Sequence, residues 1–511
     1  MIHQDSELVE YGTRRWLIVA GVMSATLLQV LDATIVNVAL PTIQGNMGAN
    51  FDEGAWVITG YIIAAVIVIP LTPWLQQLMG RRQYYVAAIV GFTITSALCG
   101  ISTSLGELIF FRVLQGLCGG GLIATGQAIM RDTFPAKQLG LSQALTSIGA
   151  VIGPSIGPTL GGILTDQLSW NWIFFINIVP GIVSALLCFS LLRNPARRGR
   201  PSVDGVGLGL LAMGLGCLQY VLDEGERYDW FADTNILATA GVSISSLIGF
   251  VWWELRMVRN PIVDLRILIH NRTVAAGCLL AMTLAFGLFG GVILAPQFQQ
   301  NLLNFTATLS GLSILTRALG IMVMTPVTLI LLARLHAKPR LLLGIGFIIV
   351  AAANVITAQV LTAQSVFTTF VWPLVLGGIG FGMLFVPLSV AVLSSVRGPD
   401  TQKATSLLSL CQQLGGSISA AVLVTILDRR GAFHRDALAS GITLARPAAE
   451  RALQHHAPLA LISGLVNQQA ATMAFADAFY MLGALTLLLT PLVFLLRSPR
   501  VATAATAVAV E

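Results

Sequence analysis

Leu31-Asp32-Ala33-Thr34-Ile35-Val36-Asn37-Val38-Ala39-Leu40-Pro41 closes the first long apolar run of the chain, which begins near Trp16. The run is long enough to cross a bilayer, which takes roughly 20 apolar residues, and it carries one carboxylate. An ionised aspartate near the bilayer centre costs about 2.5–3.5 kcal/mol on insertion scales, so such a residue normally points into a helix bundle or a wet cavity, where it can pair or bind a proton. This stretch predicts an all-α integral membrane protein with Asp32 at its working centre.

Composition agrees. The 511 residues are 55% hydrophobic and only 10% charged, against about 25% charged in soluble domains. The net charge of +6 comes with no basic tail or Lys/Arg-rich stripe, which argues against nucleic acid as a partner. Cys99, Cys118, Cys188, Cys217, Cys278 and Cys411 fall in or beside apolar runs without CxxC spacing, so neither a disulfide framework nor a zinc site is expected. All six histidines lie outside the runs, leaving no imidazole as a proton relay in the membrane. No GxxxxGK[ST] phosphate loop and no catalytic Ser/His pair or metal cluster is visible in the spans, which argues against ATP drive, a cofactor or an intramembrane enzyme. Arg14-Arg15 precede the first run and no small-residue cleavage site follows it, so it reads as a retained span rather than a signal peptide.

About fourteen apolar runs recur between residues 16 and 496. Loop charges test that count. With Arg14-Arg15 on the cytoplasmic side, the inner loops hold 21 of the 29 Lys and Arg, the outer loops six, and Arg112 and Arg317 lie within spans. The alternation holds at every short loop, as the positive-inside rule demands, and a missed helix would invert it downstream. Both termini are then cytoplasmic. The Pro/Arg-rich stretch from Arg193 to Pro201 reads as a boundary between bundles. The outer loop 428–473 is the longest, with a helix-forming stretch from Arg446 to Leu461.

The fourth span contains Phe111-Arg112-Val113-Leu114-Gln115-Gly116-Leu117-Cys118-Gly119-Gly120-Gly121. At 1.5 Å per residue, Arg112 and Asp32 reach similar depth in the outer half of the membrane. An arginine there needs an anionic or carbonyl partner. Gln115 lies on the Arg112 face, Gln127 close to the same stripe, and Gln29 on the Asp32 face. Two readings stand for this set: a carboxylate that exchanges a proton with Arg112 as its counter-ion, or a static ion pair that fixes helix register. The fifth span carries Gly149, Gly153, Gly157 and Gly161 every fourth residue, a stripe for close helix contact. Pro154 and Pro158 in it each remove a backbone hydrogen bond, which predicts a bend where two bundles meet.

These motifs resemble the major facilitator superfamily, specifically its fourteen-helix drug:proton antiporter branch of EmrB-like multidrug efflux permeases. The resemblance covers nearly the whole chain. It rests on the stretch around Asp32, the Arg112 motif, Gly153-Pro154-Ser155-Ile156-Gly157-Pro158-Thr159-Leu160-Gly161-Gly162, Trp170 to Asn177, Leu222 to Phe231, and Gln468 to Phe479. The loop between the second and third spans departs from the family form G-x-x-x-D-R-x-G-R-R. Gln77 stands at its acidic position, Leu78 replaces the arginine and Pro73 the first glycine, so Gly80-Arg81-Arg82 alone survive. Asn171 stands where many members have arginine.

The resemblance implies a major facilitator fold: two six-helix bundles with two inserted helices, fourteen transmembrane helices in all. The expected divisions are a cytoplasmic N-terminus (1–13), a first bundle (14–195), a connector with the two extra helices (196–268), a second bundle (269–500) and a cytoplasmic tail (501–511). It further implies export of lipophilic or amphipathic compounds in exchange for protons, driven by the proton gradient across a bacterial inner membrane. Asp32 and Arg112 would couple the proton; Gln29, Gln115, Gln127 and Arg317 would line the substrate cavity. Gly80, Arg81, Arg82, the glycine stripe and its two prolines would serve gating. Relatives in double-membraned bacteria work with a periplasmic membrane-fusion adaptor and an outer-membrane channel, for which the loop 428–473 and the acidic Leu222–Phe231 loop are the candidate docking surfaces. A dedicated exporter of an endogenous metabolite, lipid or siderophore would look the same at this level.

Overall fold

The computed structural model describes residues 8–49, 51–135, 138–194, 204–258, 263–333, 338–396, 400–441 and 459–496. All regular structure in them is helical. In chain order the long helices are α1 (Gly12–Met47), α2 (Phe51–Met79), α3 (Arg81–Ile101), α4 (Leu105–Gly119, resuming as Leu122–Thr133), α5 (Leu139–Gln167), α6 (Trp172–Phe175 and Ile178–Leu191), α7 (Gly205–Glu224) and α8 (Thr234–Arg256). There follow α9 (Arg272–Asn301), α10 (Ala307–Ala333), α11 (Pro339–Val360), α12 (Phe367–Gly382 and Phe385–Leu393), α13 (Asp400–Ser440) and α14 (Leu459–Leu489, ending in a 3-10 turn). Thirteen of these are long and apolar enough to cross a membrane by their described residues. α5, with 29 residues and a single charge near its end, completes the fourteen expected from the loop charges.

Helices dominate because a membrane offers no hydrogen-bond partner to a bare peptide group. α1 to α6 pack as one bundle and α9 to α14 as a second. The inserted pair α7–α8 packs together and lies against α2 and α13. The bundles meet along α5–α10 and α2–α13, with further contact of α4 on α13 and α5 on α12. A stretch rich in small residues makes the α5–α10 approach possible: a Cβ at Gly311 would overlap Thr159. Across the other seam the Ser406 hydroxyl donates to the Ile69 carbonyl at 2.5 Å.

Two expectations change at this level. The glycine stripe of α5 does not face the opposite bundle. Cβ atoms at Gly149, Gly153, Gly157 and Gly161 would meet Met23, Val30, Thr34 and Ile35 of α1, so the stripe seats the helix that bears Asp32, and another face of α5 meets α10. α5 is helical from Leu139 to Gln167, Pro154 and Pro158 included. The described parts of the loop 428–473 are almost entirely helix: α13 continues to Ser440 and α14 begins at Leu459. Most of Arg446–Leu461 falls outside the described residues, as do the connector 195–203 and the tail 501–511.

Candidate functional site: a sealed carboxylate beside an uncharged cavity

Asp32 and Arg112 form the centre of the first bundle. Arg112 Nη1 donates to Asp32 Oδ2 at 2.6 Å, and the two side chains are 1% and 0% exposed. Asp32 Oδ1 accepts from Gln115 Nε2 and from Asn177 Nδ2, each at 3.0 Å. Gln115 Oε1 in turn accepts from Arg112 Nη1 at 2.7 Å, so its amide bridges acid and base. Arg112 Nε donates to the Val57 carbonyl at 3.0 Å. The Tyr61 ring lies 4.2 Å and the Phe174 ring 5.8 Å from the guanidinium carbon, a cation–π environment for a desolvated arginine. Five helices therefore build the site: α1, α2, α4, α6 and, through Ser96, α3. Ser96 Oγ accepts from Asn177 and donates to the Phe174 carbonyl.

Local sequence explains the fit. A Cβ on Gly116 would sit 2.3 Å from the Tyr61 carbonyl, and one on Gly120 2.5 Å from that of Ala65. Glycines at these positions let α4 lie directly on α2, which places Arg112 against Val57 and Tyr61. Both carboxylate oxygens have donors and the arginine has carbonyl and amide acceptors. A buried pair satisfied this way is stable as a pair, whereas removing one partner leaves a buried charge and costs about 3–5 kcal/mol.

The amides that share sequence stripes with this pair divide between two places. The two parts of α4 meet at Gly120-Gly121, which keep right-handed helical dihedrals. Gln127, about four turns beyond Arg112, lines a cavity between the bundles. Gln29 lines the same cavity, and its Oε1 caps the restarted helix by accepting from Ile123 N at 3.1 Å. Gln115, expected in the cavity, is fully buried with Asp32 instead. The cavity holds about 100 Å³ and is walled by Gln412, Gln413, Ser389, Ser409 and apolar residues such as Phe289 and Phe385. That is smaller than the roughly 300 Å³ of a typical ligand pocket. Neither Asp32 nor Arg317 reaches it.

At the end of the bundle that carries the loop between α2 and α3, the surviving glycine and arginines of that loop act within the first bundle. Gly80 takes φ +91°. Arg81 Nη1 pairs with Asp132 Oδ2 at 2.5 Å, and the Arg82 guanidinium lies 4.6 Å from the Phe189 ring. Gln77 and Leu78 are exposed. The link across the bundles is Arg131, next to Asp132. It donates to the Leu393 carbonyl at 2.8 Å, the Val396 carbonyl at 3.3 Å and the Thr401 hydroxyl.

Sequence reasoning missed Asn177, Tyr61 and Arg131. Asn177 sits in a quoted motif, where a polar residue inside an apolar run was the available signal. Tyr61 gave none. Arg131 had been counted as loop charge.

Comparison with known proteins places this architecture. Residues 22–420 match the model of the Major Facilitator Superfamily. The multidrug export protein EmrB of Escherichia coli (strain K12) is 33% identical over 500 residues, covering 96% of each chain. The fatty acid resistance protein FarB of Neisseria gonorrhoeae is 33% identical over 487 residues, covering 93% of this chain and 94% of FarB. Among solved structures, the proton:xylose symporter XylE superposes with a TM-score of 0.60 at 13% identity, covering 94% of this chain and 95% of XylE, a likeness of fold alone. The chain belongs to the major facilitator superfamily, within its EmrB-like branch, and is a multi-pass membrane transporter rather than an enzyme.

Proposed function

We propose that this protein exports lipophilic or amphipathic compounds across a bacterial inner membrane in exchange for protons, with both termini cytoplasmic. The observation that carries the reading is the carboxylate of Asp32, sealed in the first bundle and held by one arginine and two amides. When a proton arrives, Asp32 becomes neutral and Arg112 loses its counter-ion while keeping the Val57 carbonyl and Gln115. The helices that share the pair, α1 and α4, then lose their strongest mutual tie. Those helices also present Gln29 and Gln127 to the cavity, so a change at the pair reaches the substrate path. Alternating access would follow by rocking of the bundles about the cavity, with Arg131 releasing α12 and α13 when the inner side opens. The substrate class is supported by the uncharged, largely apolar cavity wall and by the names of the relatives, which cover drugs and fatty acids. Transport in concert with a periplasmic adaptor and outer-membrane channel fits the helical extensions of α13 and α14, which are longer than a bilayer requires.

The test is proton release from proteoliposomes under an imposed pH gradient. Wild type is expected to dissipate the gradient when an exported lipophile is added, and Asp32→Asn is expected not to. Normal coupling in the mutant would remove Asp32 from the mechanism.

A further inference from the structure

Three arginines are buried among the described residues: Arg81, Arg112 and Arg317. The first two hold carboxylates, Asp132 and Asp32. Arg317, in the middle of α10 and 5% exposed, has buried Nε and Nη1 atoms with no hydrogen-bond partner. Its guanidinium occupies the notch left by Gly291 of α9, 2.6 Å from where a Cβ would stand. Among the described residues no carboxylate of the second bundle is recorded in contact with it. Asp400 pairs with Lys403, Asp436 lies beside Arg435, Asp477 is held by Arg430 and His434, and Asp428 follows Arg317 by more than a hundred residues near the far end of α13. An arginine desolvated in a membrane protein without a counter-ion is costly and points to an ion pathway or a ligand.

Its position relates it to the cavity. Leu284, Ala285, Leu288 and Phe289 of α9 line the cavity, and Gly291 follows Leu288 by three residues, one turn outward on the same side. The cavity wall itself offers amides, hydroxyls and apolar surface but no acidic side chain. A cation would find no charge partner there. An anion would find one turn away a planar donor group shaped for two-point contact with a carboxylate.

We infer that Arg317 is the headgroup site for an anionic amphiphile, a lipophilic carboxylate or its isostere, whose apolar body lies in the cavity between the bundles. The inference rests on the export reading but concerns recognition, not coupling. Binding is therefore measured directly, on the full chain in lipid nanodiscs, with three probes of equal chain length: dodecanoate, dodecanol and dodecyltrimethylammonium. Wild type is expected to bind the carboxylate at least tenfold more tightly than the alcohol. Arg317→Gln should lose that preference while keeping its affinity for the alcohol, and Arg317→Lys should keep part of it. A wild type that does not prefer the carboxylate would overturn the inference with no variant needed. Equal weakening of all three probes in Arg317→Gln, or no weakening of any, would do the same. If the preference stands but no proton antiport is seen, the export reading fails and the anion site survives; antiport without the preference gives the reverse.

Discussion

At the residue scale, Asp32 and Arg112 illustrate how a membrane interior tolerates charge. Each is enclosed, yet between them they make five contacts with named donors or acceptors. Substituting one partner should therefore cost more than substituting both. Arg112→Met is expected to destabilise the protein by about 3–5 kcal/mol, because it leaves a buried carboxylate uncompensated. The double variant Asp32→Asn with Arg112→Met should recover much of that loss in thermal unfolding in detergent. Equal loss in single and double variants would mean that packing rather than charge dominates the site. Asn177→Ala removes one of two amide donors to Oδ1 and should cost about 1–3 kcal/mol, the penalty for an acceptor left short of a partner. The same variant tests the missed residue functionally: a shift in the pH dependence of coupling is expected if Asn177 holds the ionised form.

At the element scale, glycines decide which helices can carry the site. α4 rests on α2 through Gly116 and Gly120, whose Cβ atoms would strike backbone carbonyls rather than movable side chains. Gly116→Ala must push α4 away and draw Arg112 off Asp32. Gly106→Ala in the same helix meets nothing within 4 Å and serves as the control. Overpacking of this kind costs about 1–3 kcal/mol, and the expected result is a lower unfolding temperature for Gly116→Ala with Gly106→Ala unchanged. Arg112 and Gln127, fifteen residues apart on one span, serve different places, because about 22 Å of helical rise and about 60° of rotation separate them.

For the whole molecule, the polar ties between the bundles among the described residues mark where the proposed alternating access would open it. At one end Arg131 reaches the end of α12, where helix carbonyls lack partners and carry negative partial charge. At the opposite end the inserted pair reaches both bundles: Trp56 of α2 stacks on Tyr220 of α7 at 5.7 Å, and Trp230 Nε1 donates to Thr425 of α13 at 3.1 Å. Arg429 of α13 adds contacts of 3.8 and 3.7 Å to Glu226 and Asp229. Arg131→Ala should shift the population toward the inward-open form. A cysteine placed at the cavity residue Ser409 would then label faster with an impermeant thiol reagent added from the cytoplasmic side of inverted vesicles. Unchanged labelling would show that Arg131 does not hold the inner gate.

The helix count, the partnership of Asp32 with Arg112 and the family were legible in the sequence. They follow from quantities that the chain carries locally: span length set by bilayer thickness, a charge that demands a partner at matching depth, and contiguous motifs. Other features depend on atoms brought together from distant segments. The α5 glycine stripe announces close contact but not with which helix, and the fold chose α1. Asn177, 145 residues from Asp32, became its ligand only because α6 packs on α1 and α3. Arg131 looked like one more inner charge until the two bundles met. Arg317 was visible as a charge in a span, but that it lacks a partner is a fact about its surroundings, and only packing supplies those.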